Sequence, residues 1–168
     1  MSDLRLSRRG LWFHGRCFPC SIGRGGVKRA KREGDGATPA GKHRIVGMMY
    51  RPDRLSAPQS WAEIILPGDL WSDASEASDY NQLVTKPYAH SHEVMRRADP
   101  LYDIAFITDY NYPDARAGRG SAIFLHQWRH PGFPTEGCIA LRRDHLIWIA
   151  NRVSFGAELL VPETLAQD

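Results

Sequence analysis

The chain is short of cysteine, of long apolar runs and of charge imbalance, and each shortage closes off a class of protein. Cys17, Cys20 and Cys138 are the only cysteines in 168 residues, too few and odd in number for a disulfide framework. No stretch approaches the roughly 18 consecutive apolar residues of a membrane span. Lys and Arg total 22 against 19 Asp and Glu, a formal charge of +3. The strong basic stripe of a nucleic-acid binder is therefore missing. The first ten residues alternate polar and apolar types and lack the apolar core, roughly 7–15 residues long, of a secretory leader. One basic run exists, Lys28-Arg29-Ala30-Lys31-Arg32. Glu33 and Asp35 follow it, and it reads as a solvated loop.

Two smaller groupings invite a metal and do not sustain one. Cys17-x-x-Cys20 has no second such pair, and on a strand its members point to opposite faces. His90 and His92 share a strand face with Asp99 or Asp103 as conceivable oxygen ligands, but no third histidine is tied to them by spacing. Both read as ordinary strand or surface residues, so neither a metal nor a cofactor is expected.

Turn residues are plentiful: 15 Gly and 11 Pro punctuate short β-type segments. Strands are predicted at Leu4–Arg8, Leu11–Phe13, Cys17–Ile22, His43–Tyr50, Ala62–Leu66, Tyr102–Thr108, Ser121–His126 and Glu158–Val161. Gly23–Gly41 is a long glycine-rich loop, a length that in compact domains often serves function. Leu146, Ile149, Ala150 and Val153 follow the i, i+3, i+4, i+7 spacing of an amphipathic helix, with Asp144 as its N-cap and Gly156 closing it. A second, short helix is placed near Ser91–Ala98. Many strands and few helices indicate a mainly β, sandwich or barrel-like fold in a single domain over 1–168, with one or two short helices.

The chemistry concentrates in two blocks. Ser121–His126 is an apolar strand ending in a histidine; Thr135-Glu136-Gly137-Cys138-Ile139-Ala140-Leu141 sets a cysteine after a glycine and before an apolar run. His126 and Cys138 stand 12 positions apart, a loop that can bring imidazole and thiol together. The thiolate is the nucleophile, and a free thiol titrates near 8.5, so it needs a base or cationic surroundings. His126 supplies the base, and Arg142, Arg143 and His145 are candidates for positive charge. Gly137 permits close backbone approach, and its N–H with that of Cys138 can polarise an oxyanion. A lone cysteine is more often a small buried hydrophobe, and His126 alone could be a strand-end histidine satisfied by a carbonyl.

Leu125-His126 followed by Thr135-x-Gly137-Cys138 resembles the catalytic signature of the L,D-transpeptidase (YkuD-type) family. Gly34–Gly41, with its Thr38-Pro39-Ala40-Gly41, resembles that family's Thr-Pro-x-Gly loop. Asp79–Val84 and Gly120–His126 look like further family blocks in the expected order, so the resemblance spans roughly residues 23–153. It implies a peptidoglycan cross-linking enzyme. Cys138 would form a thioester acyl-enzyme with a donor stem peptide, and an amine of a second stem would resolve it into a link of the 3-3 or the 1-3 type. His126 would be the base, and Gly137 and Cys138 the oxyanion donors. Thr135 would order the loop, while Tyr80, Asn81, Arg142 and Trp128 would contact substrate. The partners implied are donor and acceptor stem peptides in the periplasm or cell envelope. Water in place of the amine would make the protein an L,D-carboxypeptidase; loss of activity would leave a wall-binding domain. The chain departs from the usual pattern in having His126-Gln127 for His-Gly, Glu136 for the second histidine, and Ala140 where a basic residue is common.

Overall fold

The computed structural model describes residues 3–167. In chain order the elements are β1 (Leu4–Ser7), β2 (Gly10–Phe13), β3 (Arg16–Phe18), β4 (Cys20–Ser21), β5 (Val27–Lys28), β6 (Thr38–Pro39), β7 (Gly41–Tyr50) and β8 (Glu63–Ile64). There follow β9 (Asp69–Ser72), β10 (Leu83–Thr85), β11 (His92–Val94), β12 (Ile104–Thr108), β13 (Phe124–Gln127), β14 (Ile139–Leu141), α1 (Arg143–Ala150) and β15 (Glu158–Val161). The main sheet runs β3-β2-β1-β15-β7-β12-β13-β14-β4, with β8 beside β7. Its two terminal strands, β3 and β4, are separated in the chain by Pro19 alone. A flat sheet cannot satisfy both facts, so it curls into a nearly closed barrel. Among the described residues, a mainly β, barrel-like architecture with one α-helix is thus what the sequence builds.

Burial alternates along the strands in a way that defines two cores. On β12, Ile104 and Phe106 join one apolar cluster while Ala105 and Ile107 join another, because successive side chains point to opposite faces. The first cluster takes Leu4, Leu6, Leu125, Ile139 and Leu141 from the strands and Leu146, Ile149 and Ala150 from α1. The second lies between the main sheet and a small sheet of order β10-β9-β11, and holds Trp71, Met95, Tyr102, Phe124 and Cys138. Both faces of β12 are therefore covered, and its sequence Ile-Ala-Phe-Ile-Thr is nearly all apolar for that reason. Each fully buried Phe or Leu contributes about 1.5–3 kcal/mol of transfer free energy.

Local expectations met different fates. The helix occupies Arg143–Ala150, with Leu146, Ile149 and Ala150 buried; Val153 is buried beyond its end. Asp144 is not the N-cap. It lies in the first turn, and Arg142, the capping residue, holds its carboxylate at 2.5 Å. The negative charge there suits the helix dipole. Gly156 does stand past the helix at φ +80°, where its N–H reaches Ile45 O at 2.7 Å. Ser91–Ala98 forms no helix; His92–Val94 pairs antiparallel with β9 as β11, a tertiary pairing that overrides weak local preference. The glycine-rich loop contains a short parallel pair, Val27↔Thr38 and Lys28↔Pro39. Cys17 and Cys20 lie on separate strands, β3 and β4, as free thiols. Burial is the main force that pushes the Cys20 thiol up to about 12.

Candidate active site

Strands β13 and β14 run parallel, with His126 opposite Ala140 and Leu125 opposite Ile139. Cys138 precedes Ala140 by two residues, so its side chain shares the face of His126, the face opposite Leu125, Ile139 and Leu141. The thiol and imidazole both line a cavity of about 510 Å³. Adjacent parallel strands thus bring the two residues together by the same alternation that builds the core.

The hydrogen bonds fix their resting state. His126 Nδ1 lies 2.7 Å from Gln127 O. A carbonyl only accepts, so Nδ1 carries the proton and Nε2 is left with its lone pair. The Cys138 thiol donates to Ala122 O at 3.0 Å, and Phe124 N–H donates to Sγ at 3.4 Å. Burial raises the thiol to about 12; Phe124 N–H and Lys31 oppose the rise and Glu93 adds to it. Burial also lowers the imidazole to about 4, against the pull of the Gln127 carbonyl, with Arg129 and Arg97 lowering it further. Both groups are neutral across the intervening pH range. Tyr102 stacks edge-on against His126, ring centroids 5.4 Å apart.

The cysteine loop is tied down on both sides. Thr135 Oγ1 donates to Cys138 O at 2.6 Å and accepts Gly137 N–H at 3.0 Å. Gly137 N–H is thereby committed, so of that pair only Cys138 N–H stays a candidate oxyanion donor. Thr38, from the Thr-Pro-x-Gly segment, accepts Gly23 N–H at 2.9 Å and donates to Gly137 O at 2.8 Å. Gly137 sits at φ +143°, and a Cβ there would stand 2.7 Å from Ala37 O. Only glycine fits so close an approach in that conformation. The long glycine-rich loop therefore acts as a brace behind the cysteine.

Tyr80 and Asn81 are 4% and 1% exposed and lie behind the cavity wall rather than on it. Asn81 Oδ1 accepts Trp71 Nε1–H at 2.8 Å and Ala122 N–H at 2.9 Å, while its Nδ2 donates to Asn111 O. It holds Ala122 at φ +51°, a left-handed conformation that a non-glycine residue adopts only when its surroundings require it. Tyr80 donates to Glu33 and accepts Gly120 N–H, and Glu33 also accepts Ser121 Oγ–H. Both residues therefore position the carbonyl that holds the thiol, and direct substrate contact is corrected to this supporting place.

Trp128 and Thr135 line the cavity, as do Arg129, Phe133 and Pro134 of the intervening loop. Arg142 does not line it. The chain turns into α1 there, and its guanidinium is exposed against Asp144. Arg143 pairs with Asp103 at 2.6 Å, and His145 packs on Phe18. The positive charge lining the cavity comes instead from Lys31, Arg97 and Arg129. Lys31 was the hardest to foresee, since a lysine in a basic run reads as solvated. Its side chain is only 3% exposed and pairs with Asp35 at 2.9 Å. Glu33, Asp73 and Glu93 also face the cavity and carry no sequence signal of their own beyond their charge.

Fold and site together describe a curled β-sheet in which His126, on β13, and Cys138, just ahead of the parallel β14, line one cavity. The family model described as the L,D-transpeptidase catalytic domain, YkuD, matches residues 5–161, and the chain belongs to that family. No curated protein and no solved structure matches it.

Proposed function

We propose that the protein is a peptidoglycan L,D-transpeptidase whose single catalytic domain uses Cys138 as nucleophile and His126 as base. The observation that carries this reading is the imidazole's lock: Nδ1–H is spent on Gln127 O, so Nε2 is free to take the thiol proton. Family membership supplies the substrate class, the stem peptides of the cell envelope.

The proposed sequence begins with a donor stem in the cavity. As Cys138 Sγ attacks the scissile carbonyl, the thiol proton leaves the Ala122 carbonyl for His126 Nε2. The oxyanion meets Cys138 N–H. The imidazolium returns its proton to the departing amine, and a thioester remains. An amine of a second stem then attacks the thioester and restores the thiol, making a cross-link of the 3-3 or the 1-3 type. Two neutral partners suit this course, because a buried ion pair at rest would cost several kcal/mol per ion in desolvation. Charge instead develops only when the carbonyl is present to receive it.

Purified muropeptide monomers with tri-, tetra- and pentapeptide stems, incubated with wild type and Cys138→Ala, test the proposal by liquid chromatography with mass spectrometry. Dimers from wild type alone are the expected result, and fragmentation shows which residues are joined. Shortened monomers without dimers would reassign the protein as an L,D-carboxypeptidase. No change in any substrate would refute the acyl-enzyme and leave a wall-binding role.

A further inference from the structure

The wall of the cavity facing the small sheet carries acid. Glu93 stands opposite Trp71 in the β9–β11 ladder, and Asp73 N–H continues that ladder to Ser91 O at 3.2 Å. Asp73 follows Trp71 by two residues, so Trp71, Asp73 and Glu93 project from one face. Trp71 goes into the second core, whereas both carboxylates line the cavity shared with Cys138 and His126. Asp73 Oδ1 is buried and has no hydrogen-bond partner among the described residues. A buried carboxylate oxygen left without a donor is costly, and a ligand's donor would relieve that cost.

The nearby cations offset this wall only in part, Arg129 lining the same cavity and acting on Glu93. Arg97 is spent on Asp99 through two bonds of 2.8 and 2.7 Å, and Lys31 is paired with Asp35. Arg97 and Arg129 pull the Glu93 carboxyl down, yet burial, Asp73 and Glu136 prevail and hold it above its ordinary value. Glu93 is also close enough to Cys138 to push the thiol up. Negative charge beside a nucleophile that must ionise opposes the first half of the reaction. It helps the second half, where a primary amine must enter as an ammonium and lose a proton before it can attack.

We propose that Glu93 and Asp73 form the subsite for the acceptor's primary ammonium and favour its attack on the thioester over attack by water. The proposal rests on the acyl-enzyme reading above. The ammonium, R–NH₃⁺, sits between the two carboxylates and gives one proton to Glu93, which passes it to solvent. The amine nitrogen then bonds to the thioester carbonyl carbon, and the C–S bond breaks. A second nitrogen-bound proton travels through His126 to the Cys138 sulfur. The products are the amide, the free thiol and one released proton, and no co-reactant is needed.

The test separates the two half-reactions. Wild type, Glu93→Gln and Asp73→Asn are loaded with a tetrapeptide-stem muropeptide, and acylation is timed by the intact-protein mass of the Cys138 adduct. The fate of the adduct is then read as dimer against hydrolysed monomer, with a parallel arm in which hydroxylamine, uncharged at neutral pH, replaces the acceptor. We expect Glu93→Gln to acylate within a few-fold of wild type and to react equally with hydroxylamine. Its dimer-to-hydrolysis ratio should fall by about tenfold or more, the scale of a lost charge-assisted bond, and Asp73→Asn should show a smaller drop of the same kind. An unchanged ratio overturns the subsite, and so does equal loss in acylation and transfer, which would assign the carboxylates to the donor's own ammonium. If wild type never gains the adduct, the acyl-enzyme reading falls and takes the subsite with it.

Discussion

Burial of His126 makes a measurable demand on stability at mildly acid pH. The ring's pKa falls from 6.5 to about 4 in the fold, while the unfolded chain keeps the ordinary value. Above pH 6.5 the imidazole is neutral in both states, and its full contribution to stability is present. Between 6.5 and about 4 the unfolded chain binds a proton that the folded protein refuses, so stability falls as pH falls. Below about 4 both states are protonated and no more is lost. At 1.36 kcal/mol per unit, the loss from pH 7 to pH 5 is about 2 kcal/mol, and by pH 4 it is about 3 kcal/mol. Asp99, held down to about 2 chiefly by Arg97, titrates below this window. His43 is also lowered by burial and adds a loss of the same sign, so only a difference between variants isolates His126. Urea unfolding of wild type and His126→Gln at pH 7 and pH 5 gives that difference. Wild type should lose about 2 kcal/mol more than the variant, since glutamine has nothing to titrate. Equal losses would mean that His126 is not held neutral, and the thiol–imidazole picture of the resting site would fail with it.

Two further changes probe the brace and the bracket behind the cysteine. Thr38→Val strands Gly23 N–H and Gly137 O, both bound by the Thr38 hydroxyl. It should cost about 2–4 kcal/mol in urea unfolding and slow acylation of Cys138, timed by intact mass. Asn81→Ala removes the bonds to Trp71, Ala122 and Asn111, at a similar cost of about 2–4 kcal/mol. With Ala122 unheld, the turnover rate for dimer formation should fall while the KM for donor stays within a few-fold. A pure KM effect would return Asn81 to direct substrate contact.

The strands that run along the main sheet were legible because their apolar residues are large and recur along each segment, and their ends are marked by turns. His43–Tyr50 and Glu158–Val161 match β7 and β15 closely, and Leu4–Arg8 falls within a residue of β1. The small sheet was not legible. Its strands, at Asp69–Ser72, Leu83–Thr85 and His92–Val94, are three or four residues long and exist by pairing with one another, which no local pattern records. The site divides the same way. Cys138 and His126, which line one cavity, were picked out by the family-like blocks they stand in, since either alone reads as a buried small hydrophobe or a strand-end histidine. The charged lining was invisible. Lys31, Glu33, Asp73 and Glu93 come from distant loops and strands, and a charged residue in isolation reads as solvated whichever way it points. Arg142 shows the converse error: closeness to Cys138 in sequence gave it a place in the site that the turn into α1 takes away.

One strand alternation decides both where Cys138 and His126 lie and how they behave at rest. Leu125, Ile139 and Leu141 face the core under α1, so Phe124, His126 and Cys138 must face the other way, into the space closed by the small sheet. Burial there pushes thiol and imidazole apart in pKa, to about 12 and about 4, leaving both uncharged. The thiol at 9% exposure is then a poor target for a small alkylating reagent, because only thiolate reacts quickly. Slow alkylation would report this burial and not a lack of catalytic competence. In the proposed mechanism the sulfur is activated by a carbonyl that accepts its electrons while Nε2 takes its proton, so competence has to be read from an acyl donor.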